Sequence, residues 1–366
     1  MRVPTLEDLP DPAGKRVLLR VDFNVPMTNG AIDDDRRIRA ALPTITWLTD
    51  RGATVDACSH LGRPQGRPDP AFAMDAVRQR LADLAPGVNL LENLRFDPGE
   101  TANDPAFVER LVEGRDLYVN DAFGACHRAH ASVVGPPRRL PSAAGRLLGR
   151  EVEVLEGLLS GPAKPFVGVL GGAKVSDKLA VINALLERVD TLVIGGGMAF
   201  TFLAARGHEV GASLLEPDRV EECRRLLGSG RRILVPTDVV ALGPDDAEVR
   251  TLAGDIPTGW KGLDIGPASA EAFAAEVAAA GTVLWNGPMG VFEDPRFAAG
   301  TRRLAQAVAS TTAFTVVGGG DSAAAMAKFG LDGEVNHLST GGGASLELIE
   351  KGDLPGLAAL RESVHA

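Results

Sequence analysis

Short runs of Val, Ile and Leu recur along this chain without the polar alternation of a half-exposed sheet, and amphipathic stretches lie between them. Strands of that kind are buried on both faces, so helices must cover them on either side. The runs fall at 16–21, 54–59, 117–120, 166–170, 191–194, 232–235, 283–285 and 312–317. Helical periodicity occupies 38–50, 71–84, 178–187, 218–227, 269–280 and 298–309. The expected class is α/β, with parallel sheets whose right-handed crossovers bring the strand C-termini to one edge.

At 366 residues the chain exceeds one ordinary core, and two domains are expected. The helical stretch 151–159, broken by Ser160-Gly-Pro-Ala-Lys-Pro, marks the junction. The reading is two doubly wound, Rossmann-like domains, 1–150 and 166–350, joined by a helix and linker over 151–165. A short C-terminal segment, 351–366, is able to pack on either domain, including back on the first. Two domains on a connecting helix form a hinge-bending shape that can close over a ligand.

Cys58, Cys126 and Cys223 show no CxxC spacing, which argues against disulfides and structural zinc and fits a reducing compartment. No run approaches the ~18 apolar residues of a membrane span. A cytoplasmic protein without a membrane partner is therefore expected. The net charge of −10 argues against a nucleic-acid partner. Residues 1–150 nevertheless hold 19 arginines and a single lysine, Lys15. Arginine suits bidentate capture of phosphate or carboxylate, although an arginine-preferring genome meets that composition equally well.

Ligands of open α/β sheets bind outside the carboxyl ends of the strands. In the first half those ends carry Asp22, Asn24, His60, Arg63, Arg95 and Arg128, with Arg37 opening the first helix. Converging arginines and a histidine make an anion pocket. In the second half the ends are glycine-rich: 171–178 with Lys174 and Lys178, 195–200, 318–322 with Asp321 and Ser322, and 340–345. Glycines between strand and helix open backbone N–H groups to phosphate oxygens at the positive end of the helix dipole. The P-loop pattern fails, because Lys174 is preceded by alanine and followed by valine. No GxGxxG with an acidic ribose anchor occurs either, which disfavours a nicotinamide oxidoreductase.

Several blocks resemble one family. VDFNVP at 21–26, Arg37-Ile38, SHLGRP at 59–64, LLENLRF at 90–96, YVNDAFG at 118–124 and HRAHAS at 127–132 are similar to the first domain of phosphoglycerate kinases. GGAKVSDK at 171–178, GGGMAFTF at 195–202, GLDIGP at 262–267, WNGPMGVFE at 285–293, GGGDS at 318–322 and TGGGAS at 340–345 are similar to the second. The resemblance implies a glycolytic kinase that moves a phosphoryl group between 1,3-bisphosphoglycerate and ADP, giving 3-phosphoglycerate and ATP, with a carboxyl group as acceptor. It places Asp22, Phe23, Asn24, Arg37, His60, Leu61, Gly62, Arg63, Arg95 and Arg128 on the 3-phosphoglycerate side. On the nucleotide side it places Lys174, Lys178, Gly195, Gly196, Gly262, Asn286, Glu293, Gly319, Gly320, Asp321 and Ser322. It gives catalytic roles to Arg37, Lys174, Lys178, Gly319 and Gly342, and makes Asp321 the holder of Mg²⁺. The partners it implies are small molecules alone, and a monomer is expected.

One departure stands out. Between SHLGRP and LLENLRF the family runs through helix, strand and helix, whereas here one helix fits between 64 and 90. The missing strand–helix unit would thin the first sheet and expose an edge. A nucleotide-binding regulatory paralogue without turnover is the alternative, and the presence of Arg37, Lys174 and Asp321 favours the enzyme.

Overall fold

The computed structural model describes residues 2–363. The chain divides into two compact units, 1–156 with 351–366, and 157–350. Each contains a parallel sheet among its helices.

In the first unit, apart from a short antiparallel pair of Met27–Thr28 with Ala31–Ile32, the strands are β1 (Arg16–Arg20), β2 (Thr54–Cys58), β3 (Asn89–Leu90), β4 (Leu117–Asn120) and β5 (Ser142–Ala144). They lie in the order β3-β2-β1-β4-β5, all parallel. The chain builds outward from β1 on one side and then returns to β4 on the other, so the winding reverses between β1 and β4. Val17, Leu19, Val55, Ala57, Leu117 and Val119 join Ile45, Leu48, Val77 and Leu81 in the core. The edge strand β3 has only two residues. Beside it lies a groove of about 490 Å³ lined by Leu91, Leu94, Phe96, Phe107 and Leu111, among others.

In the second unit β6 (Phe166–Leu170), β7 (Thr191–Ile194), β8 (Ile233–Leu234), β9 (Asp238–Leu242), β10 (Val249–Ala253), β11 (Lys261–Ile265), β12 (Thr282–Asn286), β13 (Phe314–Gly318) and β14 (His337–Leu338) form two sheets. The parallel one has the order β8-β7-β6-β12-β13-β14 and reverses between β6 and β12. Every residue of β6, β7 and β12 is buried, as continuous apolar runs require. The other sheet, β10-β9-β11, is antiparallel.

Several sequence expectations need correction. The helix read over 38–50 is two, Arg36–Ala40 and Leu42–Thr49, because Pro43 has no N–H to continue a ladder and begins a new first turn. The connecting helix begins at Arg146 rather than at 151 and runs to Ser160. The antiparallel sheet was not anticipated, nor were the helices Pro98–Ala102 and Pro105–Val112. Both of those start on an aspartate–proline pair: Asp97 accepts from the Gly99 N–H and Asp104 from the Ala106 N–H, and Pro98 and Pro105 fill the first helical positions.

The loop after β6 meets the loop after β12 backbone to backbone. A Cβ on Gly171 would lie 2.0 Å from the Pro288 carbonyl oxygen and 2.6 Å from that of Gly287. Neither can retreat as a flexible side chain would. Gly171→Ala should cost about 1–3 kcal/mol, the range for overpacking, and lower the melting temperature of the free protein. An unchanged melt would show that these loops can part without cost.

Candidate active site

In the first unit, the loops leaving β1, β2 and β3 are stitched together by side-chain hydrogen bonds. The Asn24 Oδ1 accepts from the Gly62 N–H at 2.8 Å. Asn93 accepts from the Leu61 N–H at 3.2 Å and donates to the Leu61 carbonyl at 2.7 Å. Ser59 Oγ accepts from the Phe23 N–H at 2.8 Å. The Phe23 and Leu61 side chains lie in the core, so these two residues can serve a ligand only through their backbone. Gly62 has φ +60, and a Cβ there would strike the Phe72 ring.

On this frame sit the cations. Arg37 pairs with Asp22. Burial opposes charge on the Asp22 carboxyl, but the Arg37 and Arg20 guanidiniums outweigh it and hold the group below its usual range. Arg95 donates to the Gly62 carbonyl at 2.8 Å, while its Nε is buried without a protein partner. Burial, with Arg20 and Arg63 nearby, holds Arg95 below the ordinary arginine range. Arg63 and Arg128 are exposed, and no described residue pairs with either side chain. His60 is almost fully buried, and burial pushes it down to about 3. His130 is pushed to about 4 by burial and by Arg95, Arg20 and Arg128. Both rings are therefore neutral at pH 7.

In the second unit the site gathers where the winding reverses, between the ends of β6 and β12. Lys178 donates to the Gly171 carbonyl at 2.6 Å, to the Asn286 carbonyl at 3.1 Å and to Asn286 Oδ1 at 2.7 Å. Burial pushes it down to about 8, against the pull of Asp321 and Asp177. Gly319, at φ +95, turns the chain from β13 into the helix Gly320–Lys328. A Cβ on Gly319 would lie 2.9 Å from Asn286 Nδ2, and one on Gly342 would come within 4.0 Å of Gly319 Cα. The 318–322 and 340–345 loops therefore adjoin one another and Asn286. The Ser322 hydroxyl accepts from the Gly287 N–H at 2.6 Å, so that hydroxyl is taken up in fixing the β12 loop. Asp321 is exposed on the first turn of its helix, and Lys174 is exposed with no hydrogen bond or ion pair to a described residue.

The glycines at 195–197 pack against both loops: the Gly196 N–H donates to the Met289 carbonyl, and the Met198 N–H to that of Gly172. Gly262 receives Ser213 Oγ at its N–H, at 2.9 Å, and a Cβ there would collide with Phe200. Beside Gly262 stand two apolar side chains that sequence reasoning missed. Leu214 follows Ser213 and is 56% exposed; Val291 donates its N–H to the Leu263 carbonyl and is 44% exposed. Gly262 itself is buried, and the apolar surface that Leu214 and Val291 expose near it suits a flat ring. The Glu293 carboxyl is exposed, and Lys328 donates to the Glu293 carbonyl oxygen at 3.1 Å.

The profile of the family described as phosphoglycerate kinase matches residues 6–88 and 77–352. The chain belongs to the phosphoglycerate kinase family. A phosphoglycerate kinase of Rubrobacter xylanophilus is 54% identical, covering 95% of this chain and 96% of its own length. One from Salinispora tropica is 53% identical over 98% of this chain and 100% of its own. The solved structure of phosphoglycerate kinase from Coxiella burnetii superposes with a TM-score of 0.89 at 38% identity, covering 98% of this chain and 99% of that one. The two matched pieces overlap over residues 77–88, which is most of the helix Asp75–Leu84 and the turn after it. The Salinispora alignment runs over 397 positions, more than the 366 residues available here. This member of the family therefore lacks residues that its relatives carry.

Proposed function

We propose that the chain catalyses reversible phosphoryl transfer between 1,3-bisphosphoglycerate and ADP, giving 3-phosphoglycerate and ATP. In the direction of ATP use, a carboxylate oxygen of 3-phosphoglycerate attacks the γ-phosphorus. The bond to the β-phosphate oxygen breaks, and ADP leaves with that electron pair. The acceptor is already an anion, so no general base is needed; alignment and positive charge are. What carries the reading is the uncompensated cation set at the strand ends of the first unit: the orphan Nε of Arg95, and Arg63 and Arg128 without partners. A doubly anionic small acid answers it. Arg95, Arg63 and Arg128 take the non-reacting phosphate, Asp22, Asn24 and His60 orient the acid, and Arg37 faces the acyl phosphate.

On the nucleotide side the backbone at 195–197 and Gly262, with Leu214 and Val291, receives the adenine. Glu293 meets the ribose, Lys174 and Lys178 the phosphates, and the N–H groups at 319–322 the phosphate chain. No group of three or more His, Cys, Asp or Glu residues is placed to hold a metal among the described residues. A single carboxylate, that of Asp321, fits Mg²⁺ that arrives on the nucleotide, since this ion takes one or two protein carboxylates and fills its shell with phosphate and water. Bound there, Mg²⁺ neutralises phosphate charge. We place the protein in the cytoplasm as a monomer; no helix among the described residues is long and apolar enough to cross a membrane.

The deciding experiment is a coupled assay of the purified protein with 3-phosphoglycerate and MgATP. Turnover supports the reading, whereas nucleotide binding without turnover would favour the regulatory one. Lys178 supplies a second check. It is charged below pH 8 and loses that charge as the pH rises through its value. ADP affinity should therefore fall about tenfold between pH 7 and 9, one decade for each unit beyond the pKa, and Lys178→Met should bind more weakly without that slope. A wild-type affinity that stays level across the range would remove Lys178 from the phosphate site.

A further inference from the structure

Arg20 ends β1 and is fully buried, as are Glu100 and Ser132, which come from distant parts of the first unit. The Arg20 Nε donates to Ser132 Oγ at 2.9 Å, and another of its nitrogens donates to the Val21 carbonyl. Its third approaches His60 Nδ1 at 3.1 Å. Ser132 Oγ in turn donates to Glu100 Oε1 at 2.6 Å, and the Ser132 N–H donates to Oε2 at 2.9 Å. The Ser132 carbonyl accepts from the Tyr118 hydroxyl at 2.7 Å. Every polar atom of Ser132 is thus engaged, and the chain of contacts runs from Glu100 through Ser132 and Arg20 to His60.

Guanidinium nitrogens only donate. The contact at His60 Nδ1 therefore demands a lone pair there, which puts the ring hydrogen on Nε2. An imidazolium would set N–H against N–H. Resting on the functional reading above, we infer that Arg20 is a positioning residue that fixes His60 as its Nε2–H tautomer, with Ser132 and Glu100 holding Arg20 in place. His60 then offers the substrate acid a neutral donor at Nε2, a nitrogen to which no described residue bonds. The benefit is electrostatic. Arg20, Arg37 and Arg95 already surround the ring, and a donor without charge adds a hydrogen bond there without another cation for them to repel.

The test begins with the free wild-type protein at pH 7, where proton–nitrogen correlation of the His60 ring should show Nδ1 unprotonated and Nε2 carrying hydrogen. A hydrogen on Nδ1, or on both nitrogens, overturns the inference. Arg20→Met should release the ring to a mixture of forms. Where that variant does not fold, Ser132→Ala carries the test, because it removes only the hydroxyl that braces Arg20. Its KM for 3-phosphoglycerate should rise about tenfold, the worth of one good hydrogen bond, with KM for ATP unchanged. In a His60→Ala background the same substitution should add nothing. A Ser132→Ala penalty that persists undiminished without His60 would make the network merely structural and sink the proposal. A wild type inactive in the coupled assay overturns the functional reading instead, and the ring spectrum still decides the tautomer.

Discussion

Replacing Lys174 or Arg37 by alanine should lower kcat by about 10²–10³, the loss expected when one charge aimed at developing negative charge is removed. The two substitutions differ in what else they disturb. Lys174 is exposed and bonded to no described residue, so Lys174→Ala should leave the melting temperature alone, and its whole effect should be on turnover. Arg37 is pinned by Asp22, and its removal takes away the charge that does most to hold that carboxyl down. A depressed carboxyl contributes stability that is present above its unfolded value and lost as the pH falls through the folded one. At pH 7 Arg37→Ala should therefore cost some stability as well as rate. Arg37→Lys keeps the charge but not the planar fork, and should recover the melt more fully than kcat. Initial rates at saturating substrates, beside melts of each variant, separate the two. A Lys174→Ala protein with near-normal kcat would remove that residue from the chemistry.

How far the sequence carried depended on whether the information was local. The buried strands were legible because β1, β4, β6, β7 and β12 are built on continuous apolar runs, and such runs mean burial on both faces. The antiparallel sheet was not, since β10 shows no apolar face: Val249, Arg250, Thr251 and Ala253 are all exposed and only Leu252 is partly covered. In β9 and β11 the register shifts at Val240 and Ala241, which blurs the alternation that would have marked them. β3 has two residues and β5 three, too few for any period.

The candidate site divides in the same way. Asp22, His60, Lys174 and Asp321 follow strands directly and were found by that position. Glu100 and Ser132 stand 32 residues apart, and Arg20 and Ser132 112 apart; only the fold brings them together. A clue did exist. Arg20 interrupts the apolar run Val17-Leu18-Leu19 before Val21, and an arginine inside a strand buried on both faces must have a partner. Leu214 and Val291 carried no such mark, because exposed aliphatic residues are ordinary on any surface.

Arg95 gives the sharpest division between the two ligands. A buried donor left without a partner costs about 1–3 kcal/mol, and the Nε of Arg95 is such a donor. The free protein bears that cost, and a bound anion would relieve it. Arg95→Met removes the orphan along with the contact to the Gly62 carbonyl, so the free protein should melt near the wild-type temperature. Affinity for 3-phosphoglycerate should fall about tenfold to a hundredfold, the loss of one charge-assisted bond of ~1.5–3 kcal/mol. ADP affinity should not move, because the residues proposed for the nucleotide belong to the other unit. Arg128→Ala should behave alike with no stability change, being exposed and unpaired. Calorimetry with both ligands, and the rise in melting temperature that each produces, reads this directly. The 3-phosphoglycerate shift should shrink in both variants while the ADP shift persists. Equal loss of both ligands would mean that Arg95 supports the fold rather than the phosphate.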